Sequence, residues 1–247
     1  MNEPETTTVS EGVARIEWAA GEAVDVVRRE VAAALLTHHR VEALVDPGQP
    51  LEQRTATWSG LHREGLLRGV AGGDDRMLYA RVASDAPVEA PEGFRALLNS
   101  FLPRKRAIGQ MLVRDPDGRV LMCQLTYKKD WDLPGGIVEV GESPRLATSR
   151  EIEEELDLEI PADNLLLTDW LPPWGGWDDA VCLVFDGGVH PPSILERTTL
   201  QPREIRSVAF CTIDEVRERA ADFTARRVEA ALAALDGGPG YTESGRA

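Results

Sequence analysis

Cysteine and histidine are scarce in this sequence, with three and four copies among 247 residues. Cys123, Cys182 and Cys211 are odd in number, lie far apart and sit in apolar runs such as AVCLVF. This pattern predicts buried, reduced thiols rather than disulfides or metal ligands. The histidines have no metal-ligand spacing either, so the sequence offers no zinc-type site.

Basic residues are also in short supply, since 27 Lys and Arg stand against 42 Asp and Glu, for a formal net charge of -15. This balance argues against a protein that coats nucleic acid or an anionic membrane, because phosphate groups are held mainly by Lys and Arg. A small phosphate compound is still compatible with it, since a metal ion or a local basic patch reverses the field.

Long apolar runs are missing, and no stretch approaches the roughly 20 apolar residues that span a bilayer. The N-terminus, MNEPETTTVSEG, is acidic and polar, whereas a signal peptide begins with basic residues and continues with apolar ones. We therefore expect a cytoplasmic protein with no membrane partner.

The remaining composition, 43% hydrophobic and 28% charged, is that of a globular protein with room for two domains. Strand-like and helix-like segments mix without strict alternation, which favours α/β domains with a mixed sheet flanked by helices. The segment SDAPVEAPEG has no periodicity and marks a boundary. We predict a disordered start at 1–12, a first domain at 13–85, a linker at 86–95, a second domain at 96–236 and a flexible tail at 237–247.

One segment of the second domain carries an unusual density of carboxylates. Residues 133–160 read LPGGIVEVGESPRLATSREIEEELDLEI, in which Ser143 and Pro144 are a helix N-cap and first position. At 100° per residue, Glu151, Glu154 and Glu155 fall within an arc of roughly a quarter of the helix circumference. Like charges at this spacing repel one another, so this crowding needs an explanation.

Two interpretations of the acidic helix are open. It is either a solvated charged face or a site for a divalent cation, and the Gly-rich loop that leads into the helix favours the cation. Oxygen ligands at this density suit Mg²⁺ or Mn²⁺, which retain waters that a substrate phosphate can replace. Without the metal, repulsion in a partly desolvated cleft is expected to raise at least one carboxyl pKa.

The spacing along this segment resembles the Nudix box. Five residues separate Gly136 from Glu142, and seven more precede Arg150, which is followed by Glu151, Ile152, Glu153, Glu154 and Glu155. The pattern departs from the family only at Asp157, where the box has glycine. That position follows the helix and needs a left-handed backbone, which Asp tolerates better than most residues.

The resemblance covers about residues 95–235 and implies an α/β/α sandwich that hydrolyses a nucleoside diphosphate linked to a variable group. It implies that Glu151, Glu154 and Glu155 bind Mg²⁺ or Mn²⁺, with the carbonyl of Gly135 as a further ligand. It also implies that the metals activate a water molecule that attacks phosphorus. Paired side chains would hold the loop on the helix: Glu142 and Arg150.

The proton of that water would be taken by a glutamate of the box, Glu154 or Glu155, or by one on a later loop. Glu204 is the candidate on the later loop, because it precedes the last core strand, although it could equally be an ordinary loop residue. Four side chains near the loop are candidates for contacts to phosphate and base: Lys128, Lys129, Trp131 and Trp174. Aromatic rings stack on bases without specifying them, and simple packing is the alternative for each Trp. The leaving group is therefore open among nucleotide, nucleotide sugar and ADP-ribose types.

Residues 12–85 resemble the C-terminal half of a GNAT acetyltransferase of the ribosomal-protein N-acetylating type. The matching positions are Gly60, Leu61, Glu64, Gly65, Arg68, Asp75 and Tyr79. The front half of that fold is absent, and the turn that cradles the pyrophosphate of acetyl-CoA is reduced to WAAGEA. We interpret the segment as a remnant used for packing, homodimer formation or substrate capping. Two other functions stay open, a catalytically silent Nudix domain that senses a nucleotide and a bifunctional acetyltransferase.

Overall fold

The computed structural model describes residues 4–247, which divide into two compact units between Pro103 and Arg104. This division lies later than the predicted linker at 86–95. Instead of a linker and the start of the second domain, the chain forms a helix, α3 (Pro91–Phe101), whose Leu97 is fully buried. The segment before α3 is rich in proline and acidic residues, so the sequence suggests a linker there. The helix forms because apolar residues follow at helical spacing and a proline stands in its first turn.

The first unit contains a five-stranded sheet in the order β1-β2-β3-β5-β4. Strands β2 and β3 are parallel, and the other neighbours are antiparallel. The elements before α3 are β1 (Glu5–Ser10), β2 (Val13–Glu17), α1 (Val24–Ala34), β3 (Arg40–Val45), α2 (Pro50–Trp58), β4 (His62–Val70) and β5 (Asp74–Val82).

The predicted disordered start at 1–12 is wrong for residues 5–10, which form β1 and pair with β2, while residues 1–3 lie outside the described residues. The turn between the two strands contains Gly12 with φ +70°. Thr and Val suit a strand, and this tight turn brings β1 back onto β2. Buried residues of α1 and the sheet, among them Ile16, Val27 and Val31, form the core of this unit.

The second unit contains an eight-stranded mixed sheet in the order β12-β7-β6-β11-β10-β13, with β8 paired to β7 and β9 paired to β6. Strands β6 and β11 are parallel, as are β10 and β13. Its strands are β6 (Arg106–Arg114), β7 (Val120–Leu125), β8 (Trp131–Asp132), β9 (Gly135–Ile137), β10 (Leu165–Leu171), β11 (Ala180–Val189), β12 (Ile205–Cys211) and β13 (Tyr241–Glu243). Its helices are α4 (Pro144–Leu156), α5 (Ile213–Arg219) and α6 (Asp222–Leu235).

Helices cover both faces of this sheet. Because side chains alternate along a strand, Met111 of β6 joins the core that includes Ile152 of α4. The next residue, Leu112, joins the opposite core with Val216 of α5 and Val228 of α6. The predicted α/β/α sandwich with a mixed sheet is therefore confirmed. Within residues 4–247, no helix combines the length and apolar character needed to cross a membrane.

The predicted flexible tail also differs from the structure. Residues 241–243 form β13, which lies parallel to β10, and Thr242 is only 1% exposed. Its hydroxyl donates to the buried carboxylate of Asp169 at 2.8 Å. This partner lies far away in sequence, so local composition does not reveal the strand.

Candidate functional site

Helix α4 carries the acidic segment and has the predicted ends. Ser143 caps its N-terminus by accepting a hydrogen bond from the amide of Leu146, and Pro144 follows at the first helical position. Asp157 ends the helix in the left-handed conformation at φ 57°, which confirms that this position tolerates Asp. Both ends of the helix are therefore fixed by local sequence.

The three glutamates of the predicted arc have different surroundings. Glu155 is 4% exposed, the side chain of Glu151 is 14% exposed and that of Glu154 is 59% exposed. Glu154 forms an ion pair with Arg150 at 3.0 Å. Ala147, one turn before Glu151, is fully buried. The structure thus buries Glu151 and Glu155 and leaves Glu154 exposed.

The backbone of the glycine loop lies directly against the two inner carboxylates. The amide of Gly135 donates to Glu155 Oε2 at 3.0 Å. A Cβ atom added to Gly136 would lie 2.5 Å from the carboxylate of Glu151. A larger residue at position 136 would displace this carboxylate, and one at position 135 would meet the backbone of Gly109 and Gln110.

The loop is also tied to the helix by the predicted pair. Arg150 donates through Nε to Glu142 Oε1 at 3.0 Å and through Nη2 to Glu142 Oε2 at 3.1 Å. The same guanidinium reaches the carbonyl of Ile137 at 3.4 Å. A bidentate contact of this kind fixes orientation as well as distance, so it holds the loop over the helix.

Burial raises the pKa of both inner carboxylates. Burial raises the pKa of Glu155 to about 8; the Gly135 amide opposes the rise, and the charges of Glu151 and Glu204 add to it. Burial also raises the pKa of Glu151, against the influence of the neighbouring Arg150. The expected rise in pKa is confirmed, but desolvation is its largest cause and repulsion is secondary.

This donor set fits a hard divalent cation. Within residues 4–247, no ion pair involves Glu155, although its carboxylate is buried. A cation at Glu155 and Glu151 would compensate both charges through oxygen ligands, which Mg²⁺ and Mn²⁺ prefer. No group of three acidic, His or Cys side chains is already arranged around a metal position in the described part of the chain.

A cavity of about 900 Å³ lies beside the glycine loop and includes Gly135 and Gly136 in its wall. Of the predicted substrate residues, Lys128 and Trp174 line it. Trp131 instead packs into the core behind the sheet, with the guanidinium of Arg219 5.0 Å from its ring. Lys129 is exposed and is absent from the cavity wall. Two of the four candidates therefore line the cavity, and the other two do not.

Other residues of the wall were not singled out by sequence as site residues. The aromatic ones are Tyr127, Trp177 and Phe223. Arg106 stacks on Trp177 at 4.8 Å from the ring centre, and buried Arg227 lies on the last helix. Only Trp177 had a signal in sequence, the run of tryptophans in TDWLPPWGGWDD. Nothing in the helical pattern of α6 distinguishes Arg227 from a surface arginine.

Glu204 precedes β12, as the sequence suggests, and is exposed. Its main-chain carbonyl accepts from the amide of Thr126 at 2.8 Å, which fixes the loop. Its charge contributes to the raised pKa of both Glu151 and Glu155. The structure therefore places it in electrostatic reach of the acidic cluster.

Comparison with known proteins establishes the family of this chain. The model of the NUDIX domain matches residues 103–232, more than half of the chain. The chain belongs to the Nudix family. A MutT-like protein of Streptomyces ambofaciens is 33% identical over 138 residues, covering 56% of this chain and 81% of that protein. The chain is thus an enzyme of the Nudix pyrophosphohydrolase type.

Two solved structures are similar in fold. The MutT protein from Methanosarcina mazei Go1 is 18% identical, with a TM-score of 0.45, over 56% of this chain and 98% of that one. The MutT Nudix hydrolase from Burkholderia pseudomallei is 21% identical, with a TM-score of 0.44, over 52% and 98%.

Proposed function

We propose that this Nudix hydrolase cleaves the diphosphate bond of a nucleoside diphosphate derivative with the help of Mg²⁺ or Mn²⁺. The observation that carries the proposal is Glu155, a buried carboxylate that accepts from a backbone amide and has no cationic side chain paired with it among residues 4–247. An enzyme that keeps such a group has a use for a positive charge at that point.

Glu151 and Glu155 would hold the metal from the inside of the cleft, with the carbonyl of Gly135 as a further ligand. Glu154 would complete the set by turning away from Arg150, which its exposure allows. When bound, the divalent ions acidify a water molecule and neutralise the diphosphate. Arg150 keeps its contact with Glu142 throughout and so holds the loop in register with the helix.

The remaining roles belong to residues around the cavity. Glu204, or a glutamate of the box, takes the proton of the attacking water. Lys128 orients the diphosphate from the cavity wall, where its ammonium is now held by Asp132 at 2.7 Å. Trp174 offers a ring on which the base or leaving group stacks. The small-molecule substrate thus spans from the acidic helix into the cavity.

The proposal is tested by incubating the purified protein with a panel of nucleotides, nucleotide sugars and ADP-ribose derivatives, with Mg²⁺, Mn²⁺ or chelator. We expect metal-dependent release of a monophosphate from at least one member. No turnover of any member, with metal bound to the protein, would instead favour a nucleotide-sensing role. In that case ligand would raise the melting temperature, and Glu154→Gln would not change its affinity.

For the first unit, we propose that its GNAT-like segment serves packing, dimer formation or substrate capping within a cytoplasmic protein. The order β3, α2, β4, β5 supports the comparison with the acetyltransferase half-domain. Calorimetry with acetyl-CoA tests the acetyltransferase alternative, and we expect no binding, because the phosphate-cradling turn is missing.

A further inference from the structure

The floor of the cavity contains a buried arginine in a chain of polar contacts. Arg227 is 2% exposed and lines the cavity. Its Nε donates to Asp169 Oδ2 at 2.8 Å, and its Nη1 donates to the side-chain carbonyl of Gln110 at 3.0 Å. The amide nitrogen of Gln110 donates in turn to Asp132 at 2.9 Å. This series of contacts ends at Lys128, whose ammonium donates to Asp132. Two cationic side chains and two carboxylates therefore alternate along the series.

The C-terminal segment completes this network from the other side. Thr242 Oγ1 and the amide of Gly245 both donate to Asp169 Oδ1 at 2.8 Å. The second oxygen of Asp169 accepts a hydrogen bond from Arg227, so both oxygens of this carboxylate have hydrogen-bond donors. The tail therefore fixes Asp169, and Asp169 fixes the guanidinium at the cavity floor.

Both oxygens of the Asp132 carboxylate also accept hydrogen bonds. Its Oδ1 accepts from Gln110 and from the amide of Leu133, and its Oδ2 accepts from Lys128. The floor therefore has no free carboxylate oxygen to offer a ligand. What it does have is a donor, because Nη2 of Arg227 is buried without a hydrogen-bond partner among the described residues. A buried donor without a partner is uncommon and costly in a native protein.

We propose that Arg227 is a specificity-determining residue whose Nη2 donates to a keto oxygen of the substrate base, so that keto-bearing purines are favoured over adenine. An adenine amino group in that position would place donor against donor, whereas the oxygen of guanine or hypoxanthine accepts. The inference rests on the proposed function, since it concerns the base of the same nucleoside diphosphate derivative.

The aromatic wall next to Arg227 is compatible with this role. The ring of Phe223 lies 5.6 Å from the guanidinium carbon, and Trp174 packs against Phe223 at 5.7 Å between ring centres. Nη2 is covered and the guanidinium lies over the half-buried ring of Phe223, so binding of the base edge to Nη2 requires this ring to move. The rings then stack on the base while Arg227 reads its edge.

The test compares inosine monophosphate with adenosine monophosphate by calorimetry, since the two differ in whether a keto oxygen or an amino group stands at one exocyclic position. Binding to the full-length wild type is measured first, and no catalysis is needed. Arg227→Lys keeps a positive charge beside Asp169 but removes the Nη2 donor. Arg217→Lys is the matched control, because Arg217 is an exposed arginine on α5 paired with Glu229 outside the cavity.

We expect the wild type and Arg217→Lys to bind the keto ligand about tenfold more tightly or better, and Arg227→Lys to bind both ligands about equally. Equal affinities in the wild type, a preference for the adenine ligand, or no binding of either overturns the inference without any need for the variant. A preference that survives in folded Arg227→Lys overturns the assignment to Arg227. Turnover of the diphosphate panel is measured in parallel, so a failure of the hydrolase proposal is seen separately.

Discussion

Asp169 and Glu155 are both buried carboxylates of the second unit, yet their surroundings are opposite. Asp169 is 0% exposed and has Arg227, Thr242 and the Gly245 amide as donors. Glu155 is 4% exposed and has one backbone donor, from Gly135. The first carboxylate has its charge compensated within the fold, whereas the pKa of the second is raised to about 8 by burial.

This difference separates a structural carboxylate from a functional one. A compensated buried charge contributes to one defined arrangement of the core, and removing its partner leaves the other charge unpaired. An uncompensated one lowers the stability of the folded chain at neutral pH, and is expected where a cation binds. Substitution at the two positions should therefore have opposite consequences for stability and for activity.

The largest expected effect is on catalysis. Glu155→Gln should lower kcat by about a thousandfold or more, because the metals no longer hold water and phosphate in line. Steady-state kinetics on the substrate found in the panel provides the measurement. Glu153→Gln is the control, since Glu153 is an exposed glutamate of the same helix. Equal rates for both variants would mean that Glu155 holds no metal.

The next effect is on stability. Asp169→Asn should lower the free energy of unfolding by about 3 kcal/mol, because it removes the nearer counter-charge of the buried Arg227 guanidinium and leaves only Asp132, at 4.0 Å, among the described residues. Urea unfolding of metal-free protein measures it, with Glu155→Gln expected to be at least as stable as wild type. If Glu155→Gln were the more damaging of the two, the contrast between these carboxylates would be wrong.

A smaller effect follows from pH. A carboxyl whose folded pKa is raised binds more protons in the folded state than in the unfolded state, so stability falls as pH rises towards that pKa. With the pKa of Glu155 at about 8, metal-free protein should lose about 2 kcal/mol between pH 6 and pH 7.5 from this group. The measurement is the difference between wild type and Glu155→Gln in urea unfolding. An identical pH dependence in both would contradict the raised pKa.

The smallest effect concerns the C-terminal strand. Thr242→Val keeps the shape of the side chain but removes its hydrogen bond to Asp169. We expect a loss of about 1 kcal/mol in unfolding free energy. Thr198→Val is a suitable control, because the Thr198 hydroxyl bonds only to the carbonyl of Leu195 in its own turn. A variant as stable as wild type would show that β13 does not hold Asp169.

The features that sequence predicts well are local ones. The ends of α4, the position of Asp157 and the proximity of Glu142 to Arg150 all depend on residues within one loop and one helix. The mixture of strand-like and helix-like segments indicates a mixed sheet flanked by helices, and the resemblance to the Nudix box implies the sandwich whose two cores the structure contains. Helical geometry places Glu151, Glu154 and Glu155 on one side but does not say how deep each lies.

The features that sequence misses depend on distant partners. Strand β13 pairs with β10, and its Thr242 donates to Asp169. Buried Arg227 donates to Asp169 and Gln110. The sequence predicts a substrate contact for Trp131, but its ring packs behind the sheet beside Arg219. No local pattern distinguishes these residues from surface residues of the same type.

The most direct test of a metal at the uncompensated carboxylate is calorimetric titration of Mn²⁺ into metal-free protein at pH 7, in buffers of different ionisation enthalpy. Because the pKa of Glu155 is about 8, most molecules carry a proton there, and binding should release about one proton per protein. Glu153→Gln should behave like wild type, whereas Glu155→Gln should bind Mn²⁺ weakly and release none. Absence of binding to the wild type, or the same affinity and proton release in Glu155→Gln, would contradict a metal site at Glu155.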